Sequence, residues 1–120
     1  MQLPNRINAF IQLSKLTGYL LLETHPEGGS KAKFFRALGF NEMNLAVLES
    51  ELLAIARKLP VNKVVKTEHG SKYVMIGSIS TPVGQSVTIL TVWIIDEGES
   101  APRFVTARPY GKRGVEDTGK

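Results

Sequence analysis

The apolar pattern of this chain changes period near its midpoint, and that switch limits the folds open to it. Before Pro60, apolar residues recur at three- and four-residue spacing, the repeat of an amphipathic helix. After it they gather into β-branched and aromatic runs that suit pleated strands. Leu45, Leu48, Leu52, Ile55 and Leu59 mark the longest helix, which Asn41 is placed to cap and Pro60 to end. Ser14 is placed to cap an earlier helix bearing Leu16, Tyr19, Leu20 and Leu22, broken at Thr24-His25-Pro26. Ser30 is placed to cap a short helix from Lys31 to Leu38, which Gly39 stops. Four strands follow, Val61 to Thr67, Tyr73 to Ser80, Ser86 to Asp96 and Arg103 to Tyr110. The turn-rich pieces between them are too short for a parallel crossover, so neighbours run antiparallel. The expectation is an α+β domain with about three N-terminal helices on one face of a four-stranded antiparallel meander. It occupies residues 1–114, with 115–120 as a flexible tail.

A chain of 120 residues has room for one core. It contains no cysteine, which excludes a disulfide scaffold, a thiolate nucleophile and any Cys-based zinc or iron–sulfur site. His25 and His69 are its only histidines and would need carboxylate help to hold a metal, so neither metal nor cofactor is expected. Asn5, Arg6, Asn8 and Lys15 interrupt the N-terminal apolar residues, so there is no secretory h-region. No apolar run reaches the roughly 20 residues of a membrane span. The expected compartment is therefore the cytoplasm, without a membrane partner. Fifteen basic against eleven acidic side chains give a net charge of +4, which leans toward polyanions without proving nucleic-acid binding.

Strand parity suggests an open face. In the third strand Leu90, Val92 and Ile94 alternate with Thr91 and Trp93. If the aliphatic set meets the helices, Thr91, Trp93, Thr106, Arg108 and Tyr110 share the uncovered face, a surface suited to a phosphate and a stacked base. Threonines and aromatics also simply suit strands, so parity alone leaves both readings open. From Arg103 to Arg113 there are four cations, Arg103, Arg108, Lys112 and Arg113, and no carboxylate. A solvated basic tail would look the same.

The connection His25-Pro26-Glu27-Gly28-Gly29-Ser30-Lys31-Ala32-Lys33 carries more chemistry than its neighbours. His25 is the side chain suited to proton transfer near neutral pH. The loop leads into a helix N-terminus, where backbone N–H groups favour an anion. Lys31 and Lys33 add cations where the helix dipole disfavours them, which hints at an anionic visitor. The Gly-Lys-Ser/Thr order of a P-loop is missing. A turn made by Pro26 and Gly28-Gly29, with His25 merely exposed, is the plainer alternative.

His25-Pro26-x-Gly28-x-x-Lys31-Ala32-x-x-Phe35, Leu38-Gly39, Tyr73, Thr91-Val92-Trp93-Ile94 and Pro102-Arg103, with Leu3-Pro4-Asn5 at the start, resemble a small bacterial domain family of unknown function. Its members occur as C-terminal tips of polymorphic toxins and as free-standing proteins, and the resemblance covers roughly residues 3 to 108. At the level of fold, helices before a four-stranded meander are similar to the ribonucleases barnase, EndoU, colicin E5 and RelE. That similarity implies metal-independent RNA cleavage by attack of a ribose 2′-hydroxyl on the adjacent phosphate, and a small acidic antitoxin or immunity partner. It implies His25 as general acid or base, Lys31 as phosphate clamp and Arg108 as charge stabiliser, with Thr91 and Thr106 bonding phosphate or ribose. Lys33 and Arg103 would add substrate contacts, and Trp93 and Tyr110 would stack bases. His69, in a turn, is expected to be exposed and idle. A non-catalytic binding module of antitoxin or immunity type is the alternative.

Overall fold

A computed structural model describes residues 1–111. Helix α1 begins at Leu13–Lys15 and continues as a π-helical turn, Leu16–Leu20. Helix α2 is Gly29–Ala37 and α3 is Leu45–Lys58. Strands β1 (Lys63–Thr67), β2 (Gly70–Ser80), β3 (Ser86–Asp96) and β4 (Arg103–Pro109) form one antiparallel sheet in the order β1-β2-β3-β4. The α+β meander read from the pattern is the fold observed. The expected tail, 115–120, lies outside the described residues, as do Lys112 and Arg113.

Helix starts differ from the sequence expectation. Asn41 caps the 3-10 turn Glu42–Asn44 that leads into α3, not α3 itself: its side chain accepts from Met43 N while Asn44 Oδ1 accepts from Asn41 N, and Asn44 starts α3 without a side-chain cap. Ser14 and Ser30 do not cap, because both helices begin earlier and each serine lies inside its first turn. Residue 28, a glycine without a side-chain cap, starts α2 instead.

The core lies between the helices and the odd-numbered face of β2 and β3. Leu48, Leu52 and Ile55 of α3 and Phe35 of α2 pack with Tyr73, Met75, Ile79, Ile89, Trp93, Phe104 and Ala107. Each large apolar side chain fully removed from water contributes about 1.5–3 kcal/mol. A Cβ on Gly77 would collide with Leu59 and Ile55, so glycine there lets α3 lie close over β2. The N-terminal segment threads through this layer. Leu3 is buried, Gln2 bridges Pro60, and Phe10 bridges Arg103 at the outer edge of β4. Among the described residues, no helix is long and apolar enough to cross a membrane.

The parity expectation is overturned. Trp93 and Thr91 are both 0 % exposed and face the helices. Trp93 Nε1 donates to Thr91 Oγ1 (2.9 Å), and Thr91 Oγ1 donates to the Met75 carbonyl (2.9 Å), so the pair enters the core with its polar atoms satisfied. The set Leu90, Val92 and Ile94 therefore lies on the other face. Thr106 and Arg108 join it, because β4 carries a bulge. Trp93 pairs with Phe104 and Val92 with Thr106, which leaves Val105 without a partner.

Candidate functional site: a tyrosine, two lysines and a threonine at the sheet edge

Three irregular pieces of chain meet beside β4. The π turn of α1 holds Leu16 and Leu20 in the core and carries Tyr19 between them. Leu21 N reaches back to the Leu16 carbonyl (2.9 Å), the wider loop of a π turn, a feature frequent at functional sites. Helix α2 brings Lys31, and the bulged stretch of β4 brings Thr106. Lys31 Nζ donates to Tyr19 Oη (2.7 Å) and to Thr106 Oγ1 (3.1 Å), while the two hydroxyl oxygens are 2.8 Å apart. The triangle is half-buried. Arg36 fixes α2 in this position by donating to the Leu21 carbonyl (2.7 Å) and pairing with Glu42.

Charge gathers on the tyrosine. Lys15 Nζ stands 4.8 Å and Lys31 Nζ 5.4 Å from its ring centroid. Burial alone would raise the phenol pKa. The hydrogen bonds with Lys31 and Thr106, and the charges of Lys31 and Lys15, outweigh it and hold the phenol below its ordinary value of 10.0.

His25 borders the same ring, edge-on at 5.0 Å between centroids. Its Nδ1 accepts backbone N–H groups from Glu27 and Gly28, both at 3.0 Å. Two donors on Nδ1 leave the ring proton on Nε2, so this imidazole offers a donor there. The glycines of the loop are required by space. Gly28 has a negative φ, but a Cβ on it would stand 2.9 Å from Tyr19 Cε1, and one on Gly29 would run into the Glu23 carbonyl.

The structure brings His25, Lys31 and Thr106 together around Tyr19. Arg108 is exposed two residues along β4 from Thr106, a step of roughly 7 Å. Lys33 is exposed on α2 and Tyr110 is exposed after β4. Thr91 and Trp93 lie in the core, away from solvent, because the expected face was the wrong one. Arg103 is engaged: its guanidinium forms two bonds to Asp96 (3.0 and 2.9 Å), which draws the Asp96 carboxyl below its ordinary range. His69 is exposed in its turn beside Glu68.

Tyr19 and Lys15 were missed by sequence reasoning, which read Tyr19 as one more apolar position of a helix. The available signal was a phenol in a leucine-rich run, since a buried hydroxyl must find a partner. Among the described residues, no three His, Asp or Glu side chains gather as a metal site would need. A shallow groove along α3, lined by Glu49, Ser50, Leu53, Ala54, Arg57 and Lys58, shares no residue with the cluster.

The outer sheet face runs up to this cluster. Cross-strand rows Lys63–Val74–Val92–Thr106, Val65–Lys72–Ile94–Arg103 and Ile76–Leu90–Arg108 give it an apolar centre with cations at its rim. Lys63, Lys72 and Arg108 have no carboxylate partner among the described residues.

Architecture and site together define a helix-backed antiparallel meander with a basic outer face and a polar cluster at one edge. The chain belongs to a family of domains of unknown function, DUF6883, whose profile matches residues 2–111. Comparison with curated proteins finds no match. In fold it is similar to a chain from a "Contact-dependent growth inhibition toxin - immunity protein complex from Klebsiella pneumoniae 342", with a TM-score of 0.70 over 89 % of this chain and 97 % of that one. The two are 16 % identical, so the likeness is one of fold.

Proposed function

We propose that this domain is the toxin of a toxin–immunity pair and that it cleaves RNA by metal-independent transesterification. The observation that carries the reading is the cationic cluster built on Tyr19, at the end of a basic sheet face. The ribose 2′-oxygen attacks the adjacent phosphorus, the bond to the 5′-oxygen breaks, and a 2′,3′-cyclic phosphate remains. Charge builds on the non-bridging oxygens during this step, and fixed cations and donors aimed there lower the barrier. Lys31 supplies a cation at the cluster and Arg108 a second one strand step away. His25 donates from Nε2, and the Thr106 hydroxyl adds a partner for phosphate or ribose. Lys33 and the rim cations Lys63 and Lys72 follow the RNA backbone, and Tyr110 offers a ring to a base. With His25 Nδ1 held by two N–H donors, the base for the 2′-hydroxyl has to be sought elsewhere in the cluster.

The fold likeness to a chain of a toxin–immunity complex supports a protein partner of that kind. A partner covering this face would carry carboxylates against Lys31, Arg108, Lys63 and Lys72. The same likeness also favours a second reading, in which this chain is the immunity-type binder.

Inducible expression separates the two. The toxin reading expects growth arrest, cleaved RNA with 2′,3′-cyclic phosphate ends, and a loss on the order of 100-fold in cleavage for Lys31→Ala. A folded wild-type chain that neither slows growth nor cuts RNA overturns it and leaves the binder.

A further inference from the structure

We infer that Tyr19, as its phenolate, is the general base that takes the 2′-hydroxyl proton at this site. The inference rests on the ribonuclease reading above and names the group which that reading lacks. The Tyr19 oxygen stands within hydrogen-bond distance of two groups, the Lys31 ammonium at 2.7 Å and the Thr106 hydroxyl at 2.8 Å. An ammonium can only donate, so Tyr19 Oη is its acceptor. Lys31 also donates to Thr106 Oγ1, so that hydroxyl is free to turn its own proton toward Tyr19. Either hydroxyl can donate in the Tyr19–Thr106 contact; with Thr106 as the donor the phenol oxygen receives two donors, its own proton points away from both, and loss of that proton costs no bond of the triangle.

The groups facing Tyr19 are cationic or neutral. Lys15 comes from its own helix, Lys31 from α2, His25 from the loop and Thr106 from β4. The lowered phenol pKa follows from the same arrangement. His25 is the other candidate base, but its Nδ1 already accepts two backbone N–H groups and its Nε2 carries the proton.

The step balances without a further reagent. Tyr19 Oη⁻ takes the 2′-hydroxyl proton and becomes the phenol. The 2′-oxygen bonds to phosphorus, and the 5′-oxygen departs with the electron pair of the broken P–O bond and is protonated by water. Tyr19 then returns its proton to solvent.

The test compares wild-type protein with Tyr19→Phe and Thr106→Val on one single-stranded RNA, with cleavage rates followed across pH and tyrosinate absorbance followed in parallel. Tyr19→Phe keeps the ring that packs against Gly28 and His25, and removes only the oxygen. The expected wild-type profile rises with pH along a limb of unit slope, and one tyrosine ionises along the same limb. In Tyr19→Phe the limb and that ionisation vanish and cleavage falls on the order of 100-fold or more. In Thr106→Val, which withdraws one donor, limb and ionisation move together to higher pH. Should Tyr19→Phe fail to fold, that joint shift decides the question. An active wild type whose Tyr19→Phe variant cuts RNA within about twofold overturns Tyr19 as base while the ribonuclease reading stands. A folded wild type that cuts no RNA overturns both, even if the early tyrosine ionisation is seen.

Discussion

On the helix-covered face of the sheet, Thr91 holds the Met75 carbonyl and the Trp93 indole and sees no water. On the outer face, Thr106 turns its hydroxyl to Tyr19 and Lys31, groups on two different helices. Both are strand threonines two positions from an aromatic, Trp93 in one case and Phe104 in the other. On the inner face the threonine completes a closed pair that lets an indole N–H be buried. On the outer face it completes a charged cluster that remains partly open to solvent. The contrast shows that residue type on a strand does not decide between structural and chemical use; the supply of partners does.

Substitutions on the two faces should therefore separate stability from activity, and the largest effect belongs to the inner face. Trp93→Ala should cost about 3–5 kcal/mol in urea unfolding, whereas Val92→Ala, its outward neighbour, should cost about 1 kcal/mol or less. Equal costs would show that the outer face is as tightly packed as the core. Thr91→Val keeps the shape and leaves the Trp93 N–H orphaned, for about 1–3 kcal/mol. Thr106→Val should stay within roughly 1 kcal/mol of wild type in the same titration.

Arg108→Ala tests the outer face from the other side. Its unfolding free energy should lie within about 0.5 kcal/mol of wild type, while the salt dependence of RNA binding, read as the slope of log K against log salt, should flatten by roughly 0.7. An unchanged slope would remove Arg108 from the RNA path.

A small effect is also expected at the Asp96–Arg103 pair, where both side chains are about one-third exposed. Asp96→Asn should cost less than about 1 kcal/mol at neutral pH. The Asp96 carboxyl is held below its ordinary value of 3.8. Its contribution is thus complete above that value and disappears as pH falls through the lowered folded value. Wild type and variant should converge in acid, and a difference that persisted there would assign the effect to packing.

Much of this was legible before any coordinates. The four strands lie within a few residues of their turn signals because Gly-, Pro- and Asp-rich connections leave little choice. The α3 stripe and the Asn41 cap are local features; the stripe appears as read, while Asn41 caps the short 3-10 turn that leads into α3 instead of α3 itself. What could not be read is non-local. Whether Thr91 faces in or out depends on a partner, Met75, sixteen residues away. The phase of Thr106 depends on a bulge that no glycine announces. His25 and Lys31 stood out because they share one loop. Tyr19 did not, because its partners come from α2 and β4, twelve and 87 residues away.

The π turn at Leu16–Leu20 and the bulge at Val105 have a joint consequence. Each departs from regular backbone by one surplus residue, and each delivers one of the two oxygens that meet at 2.8 Å. Were β4 to run as a plain ladder with Val105 opposite Val92, Thr106 would fall opposite Thr91 and turn to the other face of the sheet, with every side chain of the cluster kept. The encounter of Tyr19 and Thr106 is thus encoded as insertions in the backbone count. A related chain could keep all four residues of the cluster by identity and still lose the arrangement if its β4 paired without the bulge.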